Sequence, residues 1–197
     1  MDQNPSYIND RIILGIDPGT NVMGYGVIQI VGKKLNYLAM GVVDLRKIDD
    51  PYLKIKKIFN ETTRLIEQYL PDEFAIEAQF FGKNVQSMLK LGRAQGVAIA
   101  AALQRDLPIC EYAPLKIKMA ITGNGASSKE QVAKMLQNIL KFPKEDLETK
   151  LDATDALAVA LCHYYETNSP VKCQKFSNWN DFVQKNAHRI HQKGKEE

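Results

Sequence analysis

The chain has 197 residues, 45% of them hydrophobic, with 26 Lys and Arg against 23 Asp and Glu for a formal charge of +3. That length and apolar content support one well-buried core rather than two full-sized domains with a linker; no run of about 18 apolar residues is present to cross a membrane, and the polar leader, 1–10, lacks the apolar centre of a secretion signal, so a soluble, cytoplasmic protein is expected. Cys110, Cys162 and Cys173 are odd in number and lack metal-type spacing, which favours reduced thiols over disulfides or zinc, and so small a net charge leaves its distribution to decide about acidic partners.

After the leader, the runs 11–17 (RIILGID), 23–31 (MGYGVIQIV) and 35–43 (LNYLAMGVV) are apolar or alternating and are separated by Pro-Gly and Gly-Lys turn signals. They predict three strands in an antiparallel meander. From Tyr52 to Leu70 the period changes, with Ile55, Ile58, Phe59, Leu65, Ile66 and Tyr69 recurring three and four apart as on a helix face, until Pro71 and Asp72 end it. A short strand through Phe74, Ala75 and Ile76, a helix from about Asn84 to Gln104 and a strand around Leu107 to Tyr112 follow, an order that favours parallel additions to the sheet. Ser127 with Glu130 three residues on suggests a capping box, and the apolar run from Leu151 to Tyr165 a final helix. The class is α/β with a mixed sheet. Six Lys or Arg stand against one Asp between Pro170 and Lys195, so 166–197 is expected to be a basic tail, mobile or loosely docked, on a domain spanning 11–165.

Four acids stand at the ends of these apolar elements. Asp17 closes the first strand just before Pro18-Gly19-Thr20, where a turn-forming role is the simpler alternative. Glu77 ends the run Phe74-Ala75-Ile76, in a segment suited to the interior, where an unpaired carboxylate is costly. Asp152 and Asp155 share a face at the start of a helix otherwise too apolar for the surface; complementing the helix dipole is their alternative reading. Taken together, carboxylates from two strand ends and a helix start are what a hard, oxygen-seeking divalent ion such as Mg²⁺ or Mn²⁺ requires. Two such ions a few ångströms apart suit phosphodiester hydrolysis without a covalent protein nucleophile.

The segments ILGIDPGTNVMGYGV, FAIEAQFFGKNVQSMLKLGRAQGVAI, EYAPLKIKMAITGNG and LDATDALAVALCHYY, in this order and spacing, resemble the RuvC Holliday-junction resolvases over roughly residues 11 to 165. The resemblance implies a ribonuclease-H-like fold with a mixed five-stranded sheet flanked by helices. It also implies a homodimer with one active site per subunit, paired nicks in four-way junction DNA, and RuvA and RuvB as branch-migration partners. Asp17, Glu77, Asp152 and Asp155 fall on the family's four metal-binding positions, unaltered, with two Mg²⁺ per site implied.

Lys83, Lys90 and Arg93 follow Glu77, and Lys116, Lys118, Lys129 and Lys134 precede the last acids, so cations flank the proposed centre where phosphates need them. An ordinary solvated lysine is the alternative for Lys90 and Lys134, whereas Lys118 and Lys129 match basic family positions. By the same resemblance Phe80 stacks on a distorted base near the junction centre, while core packing suits Phe81. Gly92 and Gly96 either pack tightly on the sheet or form the dimer contact, and His163, His188 and His191 receive no catalytic role. Rival readings are an ATP-binding domain, suggested by the Gly15-Ile16-Asp17-Pro18-Gly19-Thr20 turn, a non-catalytic branched-DNA-binding module, and another nuclease on the same fold.

Overall fold

The computed structural model describes residues 10–79, 84–143, 145–146 and 151–168. The leader up to residue 9, Phe80 to Lys83, and the tail from residue 169 lie outside them. The chain divides between Thr167 and Asn168, and the description concerns the unit ending at Thr167.

The strands β1 (Arg11–Asp17), β2 (Val22–Val31) and β3 (Lys34–Asp44) form the antiparallel meander, with Arg11 opposite Ile30 and Val22 opposite Asp44. The helix α1 (Pro51–Tyr69) then carries the chain over one face to β4 (Glu73–Glu77), which lies parallel to β1. The helix α2 (Val85–Leu103) returns it to β5 (Ile109–Tyr112), parallel to β4. The resulting order, β3-β2-β1-β4-β5, is the mixed five-stranded sheet of a ribonuclease-H-like fold. Three helices follow: α3 (Pro114–Thr122), α4 (Lys129–Leu140) and α5 (Leu151–Asn168).

Alternation along the strands sorts the core into two layers. Leu14, Ile16, Phe74 and Ile76 point to the face covered by Ile58, Leu65 and Ile66 of α1 and Ala94, Ala98 and Ala102 of α2. Ile13 and Ala75 point the other way, into a layer with Ile117 and Ile121 of α3, Val132 and Leu136 of α4, and Ala153 and Leu157 of α5. The helix α5 is apolar on all sides because it is enclosed: every side chain from Ala156 to Cys162 is buried. Glycines let it approach the sheet closely, since a Cβ on Gly15 would lie 2.3 Å from the Ala156 carbonyl oxygen and one on Gly26 2.5 Å from the Leu157 Cα. The start of α5 is thereby fixed beside the end of β1.

The structure departs from the sequence reading in three places. The capping box belongs to Ser128 and Gln131, one residue further on, because Ser127 is buried and hydrogen-bonds to Thr122 Oγ1 at 2.9 Å. The helix α3 was not anticipated; Pro114 in its first turn and a left-handed Gly123 just past its end mark it. Gly92 and Gly96 do not pack on the sheet: nothing lies within 4 Å of a Cβ added to either. The alanines of α2 face inward instead.

Candidate active site

Parallel pairing of β1 and β4 sets Ile16 beside Ile76, so the next residues of both strands, Asp17 and Glu77, leave the sheet at the same end and on the same face. The helix α5 begins over that face. Gly24, opposite Asp17 on β2, lies where an added Cβ would meet the Asp152 carbonyl oxygen at 3.0 Å and the Asp17 Cβ at 3.5 Å. The four predicted acids are therefore brought together from two strand ends and one helix start.

Their electrostatics differ with depth. Burial, reinforced by the charge of Asp155, pushes the Asp17 carboxyl up to about 7. Burial, then the charges of Asp17 and Asp155, push Glu77 to about 8. Asp155 is also raised, chiefly by burial and against the pull of Lys129, whereas exposed Asp152 is lowered by its hydrogen bond from Lys129. Partly buried carboxylates that destabilise one another in this way favour a neutralising cation.

The cation present is Lys129, at the start of α4. Its ammonium donates to Asp152 Oδ1 at 2.8 Å and lies 2.7 Å from Asp155 Oδ2. Burial opposes its charge, but the two carboxylates outweigh that and hold its pKa above the ordinary lysine value. Among the described residues no three His, Cys, Asp or Glu side chains already converge as a metal-holding group. The donor set nevertheless fits a divalent ion: it is all carboxylate oxygen, and a positive charge already bridges two of its members.

A cavity of about 210 Å³ opens beside the acids, lined by Glu77, Asp155, Lys118, Lys129 and the apolar Ile117 and Val132. Lys118 thus faces the carboxylates from α3. Lys116, two residues earlier, does not: it pairs with Glu166 at 2.6 Å and lies 5.4 Å from the centre of the Tyr112 ring. Lys90 and Arg93 line a different cavity, between α1 and α2, with Thr20 and Asn21. Phe80 and Lys83 lie outside the described residues.

Two further basic residues went unnoticed in the sequence. Arg46 forks onto Asp44 and its charge helps lower Asp152. Lys54 reaches from α1 to the Thr20 carbonyl oxygen at 3.1 Å. The available signal for Lys54 was a first half of α1 with lysines and no acid.

His163 is satisfied, as expected of a histidine without a catalytic role. Its Nδ1 lies 2.7 Å from the Tyr112 hydroxyl and its Nε2 2.8 Å from Glu73, at the opposite end of the sheet strands from the acids.

A profile of the family described as crossover junction endodeoxyribonuclease RuvC matches residues 13–163. A relative of that name from Bacteroides fragilis is 61% identical over 183 residues, 93% of this chain and 97% of its own length. One from Porphyromonas gingivalis is 57% identical over 92% of this chain and 97% of its own. The structure of T. thermophilus RuvC in complex with Holliday junction substrate superposes with a TM-score of 0.72 at 30% identity, covering 80% of this chain and 94% of that one. A yeast mitochondrial Holliday junction resolvase, 18% identical with a TM-score of 0.60 over 81% of this chain and 79% of its own, shares the fold. With four carboxylates at the ends of β1, β4 and the start of α5, and with matches that span nearly its whole length, the chain belongs to the RuvC family of crossover junction endodeoxyribonucleases.

Proposed function

We propose that this protein is a structure-specific endonuclease that resolves four-way Holliday junctions by paired phosphodiester hydrolysis, in DNA recombination and repair. The observation that carries the reading is the convergence of Asp17, Glu77, Asp152 and Asp155 at one sheet end, where the protein's own charges leave Asp17 and Glu77 uncompensated. These four residues would hold Mg²⁺, two ions per site, with Mn²⁺ able to substitute. The bound ions supply an activated water and stabilise the leaving oxygen.

The remaining side chains supply position. Lys118 faces the carboxylate cavity and holds the scissile phosphate there. Lys129 bridges Asp152 and Asp155 in the resting protein and is freed toward the phosphate when a divalent ion takes over those carboxylates. Lys83 and Phe80 extend the DNA contact, Phe80 by stacking on an unpaired base. Lys116 contributes to the field at longer range.

Two nicks require two sites, so the working form is a homodimer. The open face of α2, where Gly92 and Gly96 have free space and Val85, Leu89 and Leu103 are exposed, supports a second copy seated there. RuvA and RuvB are the branch-migration partners. No helix among the described residues is long and apolar enough to cross a membrane, which agrees with work on DNA in the cytoplasm.

The test is cleavage of a synthetic mobile four-way junction beside a linear duplex of equal length, with and without Mg²⁺. Paired, metal-dependent nicks on the junction alone, absent with Asp17→Asn, are expected. Junction binding without nicking would replace this reading with that of an architectural DNA-binding protein.

A further inference from the structure

The turn after Asp17 serves two faces of the sheet. Asp17 points to the α5 side, whereas Thr20 and Asn21 line a cavity of about 150 Å³ between α1 and α2, in the layer on the other side. Its rim carries Lys54, Lys90 and Arg93. From these residues we infer that the cavity is a second phosphate-binding site, which grips a backbone phosphate of a junction arm as the strand passes over the sheet end from the carboxylates. The inference rests on the proposed action on junction DNA.

The charge there is not balanced by the helices that carry it. The 19 residues of α2 contain Lys90 and Arg93 and no acid, and the first acid of α1 is Glu61. Among the described residues neither Lys90 nor Arg93 forms a salt bridge. Like charges three apart weaken an isolated helix rather than support it, so the pair is not explained by the stability of α2. Asp50 is engaged as the cap of α1, accepting from the Tyr52 and Leu53 amides at 2.8 and 2.9 Å, which leaves Asp49 as the opposing carboxylate in the lining. Three cations against one anion favour an anionic guest.

Size and lining narrow the guest further. The volume falls below the roughly 300 Å³ at which pockets for whole small molecules begin, so a phosphate with its adjoining sugar fits and a free nucleotide does not. Ile55, Ile58 and Ala94 give an apolar floor for the deoxyribose edge. The Thr20 hydroxyl and Asn21 amide are of the type that joins Lys and Arg in contacts to DNA phosphates. Lys54 is already anchored beside them through Thr20 and Asn21, at 3.1 and 3.4 Å.

The experiment is equilibrium binding of a fluorescent four-way junction to the full chain, without divalent metal, over a series of salt concentrations. Lys90→Ala/Arg93→Ala is compared with Lys33→Ala/Lys34→Ala, which removes the same charge at the β2–β3 hairpin. The first pair is expected to weaken binding at least about tenfold and to lower the slope of log K against log salt by about 2, near 0.9 per lost phosphate contact. The hairpin pair should change affinity by less than about threefold on the same scale. Lys90→Arg/Arg93→Lys, which keeps the charge, should restore binding, and circular dichroism checks that each variant is folded. Equal losses from the two alanine pairs would overturn the inference. A wild-type chain that bound junction and duplex alike and cut neither would instead remove the resolvase reading, and the same pairs measured on duplex would still decide whether the cavity grips phosphate.

Discussion

The same two neighbouring strands, β1 and β4, end in opposite electrostatic states. At their start, Arg11 and Glu73 form an ion pair at 2.8 Å, and Glu73 also meets His163, which meets Tyr112 in turn. At their finish, Asp17 and Glu77 face each other as like charges whose pKa values rise toward and above neutrality. The helix α5 spans both ends, contributing His163 and Thr167 to the first and Asp152 and Asp155 to the second. One end meets its polar needs internally; the other leaves them for a cation and a phosphate to meet. Stability and activity should therefore respond to opposite ends of the same strands.

The largest expected effect is at the acid end. Asp17→Asn or Asp155→Asn should slow junction cleavage at least about a hundredfold, or about 2.7 kcal/mol in the barrier, while the metal-free variant melts no lower than the parent because a repulsion has been removed. Cleavage assays beside thermal melts check this, and a variant that lost stability along with activity would break the contrast. At the other end, Glu73→Ala leaves Arg11 and the buried His163 without a carboxylate and should cost about 1–3 kcal/mol in chemical denaturation, with junction cutting retained at temperatures where the variant is folded.

A smaller effect should come from Lys129→Met, which removes the ammonium competing for Asp152 and Asp155. Mg²⁺ should then raise the melting temperature at a severalfold lower concentration, although cleavage falls because the phosphate loses a contact. If more Mg²⁺ were needed, Lys129 would be organising the acids rather than standing in for the ion.

The smallest effect is a pH dependence. Burial lowers the His163 pKa below its ordinary 6.5, against the raising influence of Glu73 and with Arg11 opposing its charge, so the fold favours the neutral ring. A depressed value means that this stability is present above 6.5 and is lost as pH falls through the folded value. Urea unfolding at about pH 5 and about pH 7.5 should show that difference narrowed in His163→Gln, and an unchanged difference would assign it to other groups.

The two ends were unequally legible in the sequence. Asp17 and Glu77 stood out because each ends an apolar run in which a carboxylate has no packing role, and Asp152 and Asp155 because they open a helix that is otherwise apolar. The paired end was invisible: Glu73 and His163 are 90 positions apart, and nothing local to either names the other. The helix α3 was missed for a different reason. In PLKIKMAIT the apolar and charged residues alternate as they would on a strand, and its helical character shows only at its two ends. Lys54 escaped because its contact with Thr20 depends on how α1 crosses the sheet.

The bare strip made by Gly15, Gly24 and Gly26 has a consequence for what can vary in this protein. Where α5 crosses β1 and β2, the close contacts are to main-chain atoms of Ala156, Leu157 and Asp152. The separation between the acids of the strand end and those of the helix is thereby gauged by the thickness of two polypeptide backbones, a dimension common to every protein. Side chains in the layer beneath α1 and α2 can be exchanged, and the stability of the whole can drift with them, without changing that gauge.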